Sequence, residues 1–224
     1  MEYKILYRPT YSLLEITLER GEKIFSEAGA MVYCSPTIEI STSMKGGIFG
    51  AFKRKLLGGE SLFINKYVAR EKGCVGLAPP YQGDVMAKEL NGEFYVQSGG
   101  FLACTSGVDI DTKWGGAKTF FAREGLFLLK LHGNGKVFIS SFGAIHEVEI
   151  KGEEFTIDTG HIVAFEQGLD FKVRPVGGIK TTLLSGEGLV AKFSGVGKVY
   201  VQSRSVDHYV GWLASLLPKS IRER

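Results

Sequence analysis

At 224 residues, with 44% hydrophobic and 23% charged side chains, the chain has the composition of a globular protein able to bury a substantial core. Its net charge of +3 is too small for the concentrated basic face that neutralises several phosphates at once, so charge alone leaves the partner open. No apolar run is long enough for a signal-peptide core or a membrane span, and a cytoplasmic location is expected.

In chain order, residues 3–7 and 11–18 alternate in character, with Leu14, Ile16 and Leu18 set against Glu15, Thr17 and Glu19, the period of a half-buried strand. A repeated element then begins at Gly21-Glu22, with Gly29 eight places on and Thr37-Ile-Glu-Ile40 at its close. It recurs from Gly92-Glu93 with Gly100 and Val108-Asp-Ile110, and from Gly152-Glu153 with Gly160 and Leu169-Asp-Phe171. The Gly-Glu pairs read as turns with solvated glutamates.

A longer unit closes each repeat. Glu124-Gly-Leu-Phe-Leu-Leu-Lys-Leu-His-Gly-Asn-Gly-Lys-Val-Phe-Ile-Ser140 and Glu187-Gly-Leu-Val-Ala-Lys-Phe-Ser-Gly-Val-Gly-Lys-Val-Tyr-Val-Gln-Ser203 are close copies, and a worn first copy begins at Glu60. The glutamates Glu60, Glu124 and Glu187 stand 64 (124 − 60) and 63 (187 − 124) residues apart. A fixed long period marks one body built from three similar parts, here 1–91, 92–151 and 152–205 within a single domain 1–224. Thirty glycines, falling between short apolar runs, are the punctuation of an all-β protein.

Between opening and closing elements of the first part lies Met44 to Gly59, in which Ile48, Phe49 and Phe52 recur at helical spacing beside the basic cluster Lys53, Arg54 and Lys55. It is either a short helix closing one end of the fold or a docking element for a partner or a membrane surface. After Ser203 the period changes to 3.6: Val206, Val210, Leu213 and Leu217 share a face, Ser205 is the N-cap and Pro218 the stop, predicting a helix over 206–217.

The segment Gly46-Gly-Ile-Phe-Gly-Ala-Phe-Lys-Arg-Lys-Leu-Leu-Gly-Gly-Glu-Ser-Leu-Phe-Ile-Asn65, taken with Gly186 to Ser203, resembles the prokaryotic family related to the yeast altered-inheritance-of-mitochondria protein. That resemblance covers nearly the whole chain. It implies a fold similar to the tryptophan RNA-binding attenuation protein, with three β-sandwich modules about a pseudo-threefold axis. It brings no catalytic residues, and its eukaryotic branch is linked to organisation of the mitochondrial inner membrane.

Chemistry is sparse. Gly133-Asn-Gly-Lys136 and Gly195-Val-Gly-Lys198 lack the spacing, the Ser or Thr and the following helix of a phosphate-binding loop, and read as hairpin turns. His132, His146, His161 and His208 are too scattered for a metal site, and the odd trio Cys34, Cys74 and Cys104 lacks a CxxC pair and reads as reduced thiols. Neither cofactor nor catalytic residue is expected, although enzyme activity stays open. Glu60, Glu124 and Glu187 brace equivalent strand starts or converge as a carboxylate cluster, the first being the simpler account.

The main expectation is a homo-oligomeric, non-enzymatic scaffold or interaction protein, with a protein partner or peripheral membrane contact. One alternative is RNA binding by the repeated basic hairpins through Lys130, Lys136, Lys192, Lys198 and Arg204, with Tyr200 and Phe138 either stacking on bases or lying in the core. The other is a small-molecule-binding protein.

Overall fold

The computed structural model describes residues 1–43, 63–111, 128–176 and 189–218. These residues are all-β except for one helix and two short 3-10 turns. The strands are β1 (Glu2–Leu6), β2 (Leu13–Leu18), β3 (Lys23–Glu27), β4 (Met31–Cys34), β5 (Ile38–Ser43), β6 (Ile64–Ala69), β7 (Gly73–Leu77) and β8 (Val85–Gln97). They continue with β9 (Phe101–Thr105), β10 (Val108–Asp111), β11 (Leu128–Ser140), β12 (Ile145–Lys151), β13 (Phe155–Asp158), β14 (Ile162–Glu166), β15 (Leu169–Pro175) and β16 (Leu189–Gln202), before helix α1 (Val206–Leu216).

Three long antiparallel pairings organise the fold. β2 and β3 run against β7 and β6, β8 runs against β11 over its full length, and β12 and β13 both run against β16. Each returning stretch takes two further short strands: β4 and β5 lie on β7 and β6, β9 and β10 on β11, β14 and β15 on β16. Two cross-pairings, β9 with β3 and β14 with β8, weld these stretches into a twelve-stranded sheet, while β1, β2, β7 and β4 form a second sheet of four among the described residues. Alternation decides which faces meet. Leu14, Ile16 and Leu18 are fully buried and the residues between them only partly so, as expected of a strand with one face on the core.

Two expectations need correction. Neither Gly133–Lys136 nor Gly195–Lys198 is a hairpin turn, because β11 and β16 pass straight through these residues. Their glycines serve another need. Gly133 and Gly195 have φ of 120° and 105°, and a Cβ on either would lie 2.3 Å from the carbonyl oxygen of Gly107 or Gly168. Those carbonyls accept the backbone N–H of Asn134 and Val196 at 3.0 and 3.3 Å, so glycine is required where a crossing chain presses against the strand. Similarly Gly92 sits inside β8, not at a hairpin end, and β8 runs through the 91/92 division expected from the repeat.

The expected helix forms where its period placed it. The Ser205 side chain accepts the N–H of His208 at 3.5 Å and caps the first turn. Its apolar face is not covered, however: no α1 residue is buried, and Val210, Trp212 and Leu216 are 54%, 56% and 64% exposed.

Candidate interaction surface

The five basic residues singled out for nucleic-acid contact fall on or next to β11 and β16, and four of them are ion-paired, three with a carboxylate on a neighbouring strand. Lys130 lies 2.5 Å from Glu93, and Lys198 lies 2.7 Å from Glu147. Lys136 pairs with Glu89 and Lys192 with Glu154. Lys136 also sits over the Tyr3 ring, 5.2 Å from its centroid. Arg204 donates to the carbonyl oxygen of Ser203. The carboxylates answer in kind: Lys130 and then the Tyr95 hydroxyl hold Glu93 below its ordinary range, and Lys192 does the same for Glu154. Phe138 and Tyr200 are 0% and 3% exposed, which makes them core side chains. Phe138 meets Tyr3 edge-on and Tyr200 meets Phe94 edge-on, with ring centroids 5.1 and 5.6 Å apart.

A tighter polar cluster, absent from the sequence reading, joins β8, β14 and β16. Lys88 Nζ lies 2.6 Å from Glu166 Oε1 and donates to the Tyr200 hydroxyl at 3.1 Å, and that hydroxyl donates to Glu166 Oε1 at 3.1 Å. The backbone N–H of Lys198 donates to the other carboxylate oxygen, Oε2. Burial works against the Glu166 charge, but Lys88, Tyr200 and the Lys198 amide outweigh it and hold the carboxyl below its ordinary value. Lys88, for its part, is raised: burial opposes its charge, and Glu166 with Tyr200 more than compensates. Both Glu166 carboxylate oxygens are held by groups on neighbouring strands, so the cluster reads as a cross-strand brace. Lys88 and Glu166 are 78 residues apart, and no local spacing announces such a pair.

One cavity opens between the end of β8, the start of β14 and the N-terminus of α1. Its volume is about 160 Å³, and Tyr81, Gln97, Val163, Gln202 and Asp207 are among its lining residues. Gln97 is 4% exposed, and its Nε2 is the one buried side-chain polar atom among the described residues without a hydrogen-bond partner. Gln202, across the cavity, donates to the Gly160 carbonyl and accepts the Phe142 N–H. The Tyr81 hydroxyl donates to the Gly99 carbonyl, and burial pushes it up to about 12.

The other sequence-stressed residues, Ile48, Phe49, Phe52, Lys53, Arg54 and Lys55 together with Glu60, Glu124 and Glu187, lie outside the described residues. No helix among the described residues is long and apolar enough to cross a membrane.

Fold and surface together define an all-β protein of extended sheets with an uncovered C-terminal helix. The family model described as mitochondrial biogenesis AIM24 matches residues 3–204, and the chain belongs to that family. It is 31% identical over 229 residues to the uncharacterised protein M6_Spy0233 of Streptococcus pyogenes serotype M6, covering 98% of this chain and 92% of that one. Among solved structures it is similar to the X-ray structure of protein SPYM3_0169 from Streptococcus pyogenes, with a TM-score of 0.81 and 30% identity, over 96% of this chain and 99% of that one.

Proposed function

We propose that the chain is a homo-oligomeric, non-enzymatic scaffold of the cytoplasm, built of three β-sandwich modules about a pseudo-threefold axis in the manner of the tryptophan RNA-binding attenuation protein. The observation that carries the scaffold reading is α1, whose Val210, Trp212, Leu213 and Leu216 are all exposed. A lone helix gains little by displaying a tryptophan and two leucines to water, and a contiguous apolar face of this kind serves to meet another protein surface. Support for the modular reading is the recurrence of one strand-pairing order. It is reinforced by one hydrogen bond drawn three times: the backbone N–H groups of Cys74, Lys136 and Lys198 donate to the side chains of Ser35, Thr105 and Glu166 at 2.9, 2.9 and 3.1 Å. Sedimentation equilibrium at micromolar concentration tests the assembly: a discrete oligomer is expected, and a strict monomer overturns it.

Nucleic-acid binding would require Lys130, Lys136, Lys192 and Lys198 to exchange carboxylate partners for phosphates, which weakens that alternative. A second reading, binding of a small uncharged molecule, is favoured by the unpartnered amide of Gln97 in its cavity: one donor in a largely apolar lining suits a ligand with a carbonyl or ring-nitrogen acceptor. Native mass spectrometry of gently purified protein distinguishes the two, since only the second expects a defined added mass that disappears in Gln97→Leu.

A further inference from the structure

The chain makes one kind of strand junction twice. On its side away from β11, β9 pairs antiparallel with β3, placing Cys104 opposite Phe25 and Ala103 opposite Ser26. On its side away from β16, β14 pairs likewise with β8, placing Phe165 opposite Tyr95 and Ala164 opposite Val96.

Register identifies the unused halves of a third such junction. β4 lies on β7 as β9 lies on β11 and β14 on β16, with the same one-residue bulge, at Val32, Leu102 and Val163. β13 stands in the place of β3 and the second half of β8: Phe155 faces Phe193 on β16 as Ile24 faces Tyr67 and Phe94 faces Leu131. Yet among the described residues β4 pairs with β7 alone and β13 with β16 alone. Exposure follows. Met31 and Val32 are 43% and 56% exposed where Phe101 and Leu102 are 0% and 1%, and Phe155 is 40% exposed where Ile24 and Phe94 are 0%.

We infer that β4 of one copy of this chain pairs antiparallel with β13 of a second copy, setting Cys34 opposite Thr156 and Tyr33 opposite Ile157. This rests on the oligomeric reading above and adds its interface. A second copy is the occupant because the two edges are unlike halves of a junction whose register the chain has already written twice. An unrelated peptide would have to reproduce that register, whereas every copy carries both halves. Pairing satisfies the open N–H and C=O groups of both edges and covers Met31, Val32 and Phe155 together. Because the halves differ, contact is head to tail and leaves one free β4 and one free β13 on any open chain of copies, so assembly proceeds to a closed ring or a filament.

The test uses the full chain. Val32→Glu blocks the β4 edge and Phe155→Glu the β13 edge, both at exposed positions. Each variant alone is expected to sediment as a monomer, and an equimolar mixture as a dimer, since each retains the half the other lacks. Thr156→Cys supplies a covalent check that does not depend on those variants folding: under mild oxidation it is expected to cross-link to the native Cys34 of a neighbouring copy, giving multimers that reducing agent and Cys34→Ser both abolish. A disulfide confined to one chain, at monomer mass, overturns the inference. So does a wild-type oligomer that persists in both glutamate variants, in which case the scaffold reading survives and only this interface fails. A wild-type monomer overturns both.

Discussion

Glu166 on β14 receives the Lys88 ammonium of β8 at 2.6 Å while its second oxygen accepts the Lys198 backbone N–H on β16, so one carboxylate fastens three strands. Such a group stabilises the fold only while ionised. Its folded-state value lies below the ordinary 4.5, so its contribution is fully present above that value and is lost as pH falls through the lower, folded one. Lys88 has the opposite sign: raised above 10.5, it contributes below that value and ceases to as pH climbs through its folded one. Glu166→Gln is therefore expected to cost about 1–2 kcal/mol at neutral pH, a charge-assisted bond discounted for partial exposure, and nothing at strongly acid pH. Urea midpoints at the two pH values check this, and equal losses at both would refute it.

Substitution at two glycines separates crowding from backbone strain. Gly152 and Gly195 share a φ of 105°, but nothing lies within 4 Å of a Cβ at Gly152, while one at Gly195 meets the Gly168 carbonyl oxygen at 2.3 Å. Gly152→Ala is expected to cost about 1–2 kcal/mol from conformation alone, and Gly195→Ala about 2–5 kcal/mol once the clash is added. Thermal melts of the two variants decide it, and equal shifts would mean that the β16 crossing is loose.

Phe138 divides the core reading from the base-stacking one. Fully buried and in edge contact with Tyr3, it should cost about 3–5 kcal/mol on replacement by alanine. Lys136→Ala, removing a cross-strand ion pair at the surface, should cost about 1 kcal/mol or less. A Phe138→Ala protein of undiminished stability that had lost retention on immobilised RNA would reverse the assignment.

Much of the architecture was legible because period and punctuation are local signals. The alternation at Leu14, Ile16 and Leu18 specified a half-buried strand, and the switch to a 3.6 period after Ser203 located α1. What escaped was non-local. A glycine with positive φ inside a strand looks in sequence like a glycine in a turn, so Gly133 and Gly195 suggested hairpins, whereas the deciding neighbours are the distant carbonyls of Gly107 and Gly168. The lysines suggested a basic surface because their carboxylates lie far from them in the sequence. Met31-Val32-Tyr33-Cys34 has the composition of a core strand, and only the folded sheet shows that, among the described residues, β7 is its one partner. The α1 stripe predicted the helix but not its exposure, since periodicity reports that a helix has an apolar face and says nothing about what covers it.

The placement of β4 also bears on how the protein is made. A ribosome completes β4 near the start of synthesis, and β7 follows early enough to take one of its sides, as β9 later takes β3 and β14 takes β8. Each new segment thus docks on one already present, a vectorial order suited to folding during translation. Among the described residues the outer side of Met31–Cys34 has no such successor, and it stands open on a nascent chain held close to others translated from the same message. Polysomes would therefore be the place where unwanted strand exchange begins, and where a holding chaperone would be most useful.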